Sequence, residues 1–177
     1  MADPTLGLHD ALTALVPDAA YAGVATAMIR AARGHCMATV FIVDPDPIED
    51  DALVVDALLG DMADAAWRGV DTRLVIGGSR ENGDILDACL LARSRAQTLG
   101  VPCRMVAATD QRSTHIKMLV ADDHVLLGSH NWSPGALAGP QRQDSVLVTH
   151  GGFAGFGVGR ILEQWAIARA EGFDVPD

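Results

Sequence analysis

Apolar runs and stretches of helical periodicity alternate along this chain. Small residues from Asp18 to Arg33 read as a helix, with Asp18 after Pro17 as its expected cap. Cys36 to Val43 (CMATVFIV) is short and continuously apolar, which predicts a buried strand, and Asp44-Pro-Asp-Pro breaks it. Asp51 to Arg68 returns to a helical pattern and stops at Gly69. Thr72 to Ile76 predicts a strand ended by Gly77-Gly78-Ser79, and Gly83 to Leu99 a helix ended by Gly100. Pro102 to Ala107 reads as a short strand, then Thr109 to Ser113 is polar. His115 to Ala121 and Val125 to Leu127 predict two strands joined by a tight turn at Asp122-Asp123-His124. Ser133-Pro134 has the form of a helix start, Ser145 to Thr149 of a strand, and Phe153 to Ala170 of a final helix.

This order implies the α/β class: an α-β-α sandwich with helices on both faces of one sheet. The central hairpin makes that sheet mixed rather than purely parallel. No linker or repeat interrupts the pattern, so residues 1–177 are read as one domain, with 1–17 as a flexible N-terminal segment.

Charge changes the picture by its position. The net charge of −10 argues at first against an anionic ligand. Residues 1–66, however, hold eleven acids against two bases, while 67–177 hold twelve acids against eleven bases. The acidity belongs to the N-terminal third, and the rest is near neutral. No basic stripe of the nucleic-acid-binding kind exists, so any polynucleotide contact should be local. No apolar run approaches the ~20 residues that cross a bilayer, and the start has neither a positive cluster nor an apolar block. A cytoplasmic location without stable membrane association is therefore expected. Cys36, Cys89 and Cys103 sit in apolar stretches away from metal or redox spacing and read as buried hydrophobes.

The candidate chemistry lies in residues 113–133, STHIKMLVADDHVLLGSHNWS. On a strand alternate side chains share a face, so His115 and Lys117 are presented together. Ser129 and Asn131 follow the next strand and share a side if the chain stays extended. The hairpin can thus gather an imidazole, a fixed cation and two neutral donors, a set that suits a phosphate. Lys117 is the only lysine in the chain. A compact ammonium serves as a point charge for one phosphate oxygen, whereas guanidinium favours bidentate docking.

These residues resemble the HKD signature of the phospholipase D superfamily, His-x-Lys-x4-Asp followed by Gly-Ser-x-Asn. His115, Lys117, Asp122, Gly128, Ser129 and Asn131 stand at its fixed positions. The resemblance implies the family's α/β fold and a metal-independent, cofactor-free phosphodiester cleavage. In it, one His attacks phosphorus to form a phosphohistidine and a second His protonates the leaving group. It casts Lys117 and Asn131 as phosphoryl-binding residues, leaves Ser129 as a further member of the catalytic set, and makes Asp122 and Gly128 structural members of the motif. Five residues separate Asp122 from Gly128, where the family usually has six, so the turn must be tighter. The family often has a Glu after the Asn that orients the His, and Asp144 is the nearest candidate here.

A second His-x-Lys would need a second lysine, so a complete site requires another subunit. A homodimer resembling the small Nuc-type endonucleases is expected, with nucleic acid as substrate. Arg112, Trp132 and His130 are candidate substrate contacts beside the motif; a buried anchor is the competing role for Trp132. Arg142 also flanks the motif. Two alternatives keep the fold: phospholipid hydrolysis, and a module that binds nucleic acid or protein without turnover. A metal site is a further one, but the spacing of His115, Asp122, His124 and His130 fits no standard zinc pattern.

Overall fold

Val, Met and Ala dominate the strands that end up fully covered, His35–Val40 and Met118–Ala121, and this composition sets the centre of the sheet. A computed structural model of the chain describes residues 10–45, 53–79, 81–106 and 114–170. The elements run β1 (Leu12–Pro17), α1 (Ala20–Ala31), β2 (His35–Val40), α2 (Leu53–Trp67), β3 (Asp71–Ile76), α3 (Gly83–Thr98) and β4 (Cys103–Met105). There follow β5 (Met118–Ala121), β6 (His124–Gly128), α4 (Pro134–Leu137), β7 (Asp144–Thr149) and α5 (Gly151–Ala170). The seven strands form one sheet in the order β1-β7-β6-β5-β2-β3-β4. β2, β3 and β4 are mutually parallel, whereas the pairs β2–β5, β5–β6, β6–β7 and β1–β7 are antiparallel.

Alternation along the strands splits the core in two. Cys36, Ala38, Val40, Leu74, Leu119 and Leu126 pack against α1–α4. Met37, Val75, Met118, Val120 and Val125 pack beneath α5 alone. The sandwich read from the sequence is therefore the fold, with four helices on one face and one on the other. Gly157 lets α5 lie close: a Cβ there would come within 2.9 Å of Val120 Cγ2.

Several elements differ from the sequence reading. Residues 12–17, expected to be flexible, form edge strand β1 in register with β7. Asp18 does not cap α1, whose N-cap is Ala19. Its φ of 44° places it in the left-handed region. There its carboxylate accepts from Gln143 N at 3.0 Å and from Arg142 Nη1 at 2.8 Å. Those two bonds hold its pKa below the ordinary aspartate value. The helix from Gly83 is capped by Asn82, whose side chain accepts from Ile85 N at 3.2 Å.

Candidate functional site

The β5–β6 hairpin carries the motif and places its parts at opposite ends. At the turn, Asp122 (φ 48°) and Asp123 connect the paired residues Ala121 and His124. The Asp122 carboxylate accepts from the backbone N–H of Arg33 (2.8 Å), Gly34 (2.8 Å) and His35 (3.1 Å). Partial burial would raise its pKa, but these three bonds outweigh it and the carboxyl stays below its ordinary value. Asp122 thus ties the hairpin to the start of β2, away from any chemistry at the open end.

At the open end, register compensates for the short turn. Met118 pairs with Leu127, and Gly128 N donates to Lys117 O at 3.2 Å. Lys117 and Gly128 therefore face each other across the ladder despite the five-residue spacing. Gly128 is required by close approach, since a Cβ would lie 2.3 Å from Asp144 O. His115 and Lys117 precede β5 rather than belonging to it, which corrects the expected strand bounds. Their side chains still meet. Lys117 Nζ lies 2.9 Å from His115 Nδ1, 3.1 Å from Nε2 and 3.0 Å from the His115 carbonyl oxygen. Lys117 is only 7% exposed, whereas His115 is exposed.

Among the described residues no carboxylate pairs with Lys117. Its neighbours are neutral: the imidazole, a carbonyl, and the Phe41 ring 5.2 Å from the ammonium. Burial lowers the Lys117 pKa. Burial and then the adjacent ammonium lower that of His115, so its ring stays neutral to a lower pH than an ordinary histidine. A neutral imidazole has a lone pair to give, and a desolvated cation without a counter-ion favours an arriving anion.

Two supports were not foreseen in the sequence. The Phe41 ring packs on His115 with centroids 4.6 Å apart. On the other side, buried Thr114 donates its hydroxyl to the side-chain oxygen of buried Gln164 on α5. Gly77 closes the clamp, because a Cβ there would lie 2.5 Å from Thr114 O. The only signals available were an aromatic at the end of an apolar run, a Gly-Gly pair, and one amide in an apolar helix.

The remaining candidates divide. Asn131 Oδ1 accepts from Ile42 N at 3.1 Å, which brings Asn131 beside the Phe41-Ile42 segment that supports His115. Ser129 does not share its partners: its hydroxyl donates to Asp144 O (3.2 Å) and accepts from Asp144 N (3.1 Å). The Asp144 carboxylate makes no hydrogen bond to His115, and only its backbone engages the motif.

His130 is not a substrate contact. It is fully buried, stacked on Tyr21 at 4.4 Å, with Nε2 donating to Asp18 O (3.0 Å) and Nδ1 accepting from Ser145 Oγ (2.8 Å). Trp132 is likewise fully buried, its Nε1 donating to Tyr21 Oη at 3.1 Å, so it is an anchor and cannot stack on a base. Arg142 is held by Asp18. Arg112 lies outside the described residues. Among those described, no cluster of three or more His, Cys, Asp or Glu is arranged to hold a metal ion, and no helix is long and apolar enough to cross a membrane.

Comparison with known proteins agrees with this geometry. Residues 26–152 match the family model described as cardiolipin synthase, PLD-like domain. No curated protein matches the sequence. Among solved structures, the fold is similar to that of Nuc, a phospholipase D family member from Salmonella typhimurium. The TM-score is 0.66 at 19% identity, over 89% of this chain and 95% of that one. It is also similar to NucT from Helicobacter pylori (TM-score 0.58, 13% identity, 89% and 97% coverage). A third is the phosphatidylserine synthase of Haemophilus influenzae (TM-score 0.62, 16% identity), where the match covers 85% of this chain and 35% of that one. With the family model spanning most of its length, the chain belongs to the phospholipase D-like family.

Proposed function

We propose that this protein is a metal-independent phosphodiester hydrolase acting on nucleic acid, and that two copies share each active site. The observation that carries the reading is the buried ammonium of Lys117 set against the neutral ring of His115, with no carboxylate beside it among the described residues. A phosphodiester is the anion that such a pair both holds and attacks.

In the reaction, a lone pair on the His115 ring attacks phosphorus. The P–N bond forms as the bond to the leaving oxygen breaks, and the partner's His115, which enters the step protonated, delivers the proton that oxygen needs, so the two rings start in opposite protonation states. The same imidazole then takes a proton from water, whose oxygen displaces the histidine and returns it to the neutral state. Lys117 and Asn131 hold the non-bridging oxygens as charge builds on them. One chain has one lysine and hence one such pair, so the acid must come from a second copy. Isologous two-fold pairing would supply it.

Nucleic acid is favoured as substrate by the similarity in fold and length to Nuc and NucT. A phospholipid substrate is the second reading, favoured by the family model's description and by the similarity to a phosphatidylserine synthase. The acidic N-terminal third opposes it, because anionic membranes would repel it.

The test is hydrolysis of single- and double-stranded nucleic acid and of a small phosphodiester, with a chelator present. Cleavage that survives the chelator and disappears in His115→Ala is the expected result. Chelator-sensitive cleavage, or an active variant, overturns the proposal. Headgroup release from vesicles without nucleic-acid cleavage would select the lipid reading.

A further inference from the structure

Away from the cleavage site, α2 carries a trough lined also by residues of α1 and α3. Two adjoining hollows of about 480 and 360 Å³ share Gly60 and Leu99. At Gly60 the space is open, since a Cβ there would meet nothing within 4 Å. From Asp56 to Trp67 the trough follows α2 for about 16 Å. Its apolar surface is Trp67, 90% exposed, with Leu91 and Leu99, 43% and 47% exposed. Large apolar side chains left in water beside a hollow mark an interaction surface.

Each hollow also holds a carboxylate with one oxygen unused. Asp61 lines the larger hollow and is only 5% exposed. Its Oδ1 accepts from Arg30 Nε at 2.8 Å, while Oδ2 has no partner among the described residues. Asp56 lines the smaller hollow, with Oδ2 paired to Arg95 at 3.0 Å and Oδ1 without a partner. A buried acceptor left unmatched is costly, and an arriving donor relieves that cost. The Arg30 side chain is 66% exposed, so it is free to share its carboxylate or swing aside. Asp64, exposed in the larger hollow, has no ion pair among the described residues.

We infer that this trough docks a basic amphipathic segment of another protein. Its lysine or arginine side chains reach Asp61 and Asp64, and its apolar side chains pack on Trp67 and Leu99. Charge selects this occupant. A second copy would bring a net charge of −10 to an acidic face, and its only lysine is buried. The segments of this chain outside the described residues are acidic on balance, with Arg80 and Arg112 their only bases. Place in the fold agrees with a docking role. α1, α2 and α3 end just ahead of β2, β3 and β4, and the start of β2 is tied to Asp122 at the hairpin turn. Trp67 and Leu99 therefore lie at the turn end, and a partner seated there leaves His115 uncovered.

The probe is a labelled synthetic helix of leucine and lysine with the leucines on one face, titrated by anisotropy at physiological salt. A leucine–glutamate counterpart is the control peptide. The lysine peptide should bind the wild type and the glutamate peptide should not. Trp67→Ala should weaken binding by at least ~30-fold, the effect of losing an aromatic anchor. Asp64→Asn should weaken it about threefold to fivefold, as suits an exposed charge. Asp84→Asn removes the same charge at the far end of α3, outside the trough, and should change nothing. If circular dichroism shows Trp67→Ala misfolded, Leu99→Ala and Asp64→Asn decide. No binding of the lysine peptide, equal weakening by Asp84→Asn, or binding of the glutamate peptide overturns the inference. Self-association of the wild type that Trp67→Ala abolishes would assign the trough to a second copy and overturn it too.

Discussion

At the turn end of the β5–β6 hairpin one carboxylate accepts from three amides; at the open end one ammonium has no carboxylate beside it among the described residues. Both groups belong to the same short motif, separated by one four-residue strand. At Asp122 the ionised form is the favoured one, and the bonds that favour it fix the fold. At Lys117 burial works against the charge, and that cost is what an anionic ligand would relieve. The motif is thus half brace and half site, and substitutions at its two ends should fail in different ways.

The largest expected effect is on activity at the open end. His115→Ala should lower phosphodiester cleavage by at least ~10³-fold. Because that ring is exposed, the melting temperature should stay within a few degrees. A variant that melts early would erase the contrast between the two ends.

Asp122→Ala should do the reverse. Three amides lose their acceptor and alanine is strained at φ 48°, so unfolding free energy should drop by about 2–3 kcal/mol in denaturant titrations. The folded fraction should keep most of its activity. Asp122→Asn, which tolerates that φ, should lose less. The Asp122 carboxyl has a folded pKa below the ordinary 3.8. Its stabilisation is therefore complete above that value and fades as pH falls through the folded one. The Asn variant should lack that acid-side loss.

A smaller effect is expected at the clamp. Gln164→Leu removes the partner of Thr114 without touching substrate, so kcat should fall about tenfold with KM nearly unchanged. Equal loss in both would mark Gln164 as merely structural. The finest test concerns charge. In Lys117→Met the His115 pKa, followed by NMR titration, should rise, because one of its two depressing causes is gone. The rise should stop short of the ordinary 6.5, because burial, the larger cause, remains.

The sequence made the hairpin legible because register follows from alternation: once Ala121 pairs with His124, Lys117 must meet Gly128. The α-β-α layering was legible for the same reason, since periods of two and of 3.6 separate strand from helix. Edge strand β1 was not, because only Val16 of its six residues is buried and its apolar residues (Leu12, Ala14, Leu15, Val16) do not alternate with polar ones. His130 misled because a polar residue beside the motif suggested a substrate contact, whereas its partners come from Ser145 and from Asp18, 112 residues away. The Asp144 carboxylate could not be placed by counting positions, since Ser129 engages that residue through its backbone alone. Phe41 and Gln164 reach His115 and its neighbour only through tertiary packing, which no local pattern records.

The attack by the His115 ring on phosphorus can be observed without knowing the natural substrate. The protein is mixed with a small phosphodiester, denatured during turnover at alkaline pH where a phosphohistidine survives, and its peptides are weighed. A phosphoryl adduct on His115, absent from His115→Ala, is the expected result. Turnover that leaves His115 unmodified, or that places the adduct on another residue, contradicts the account.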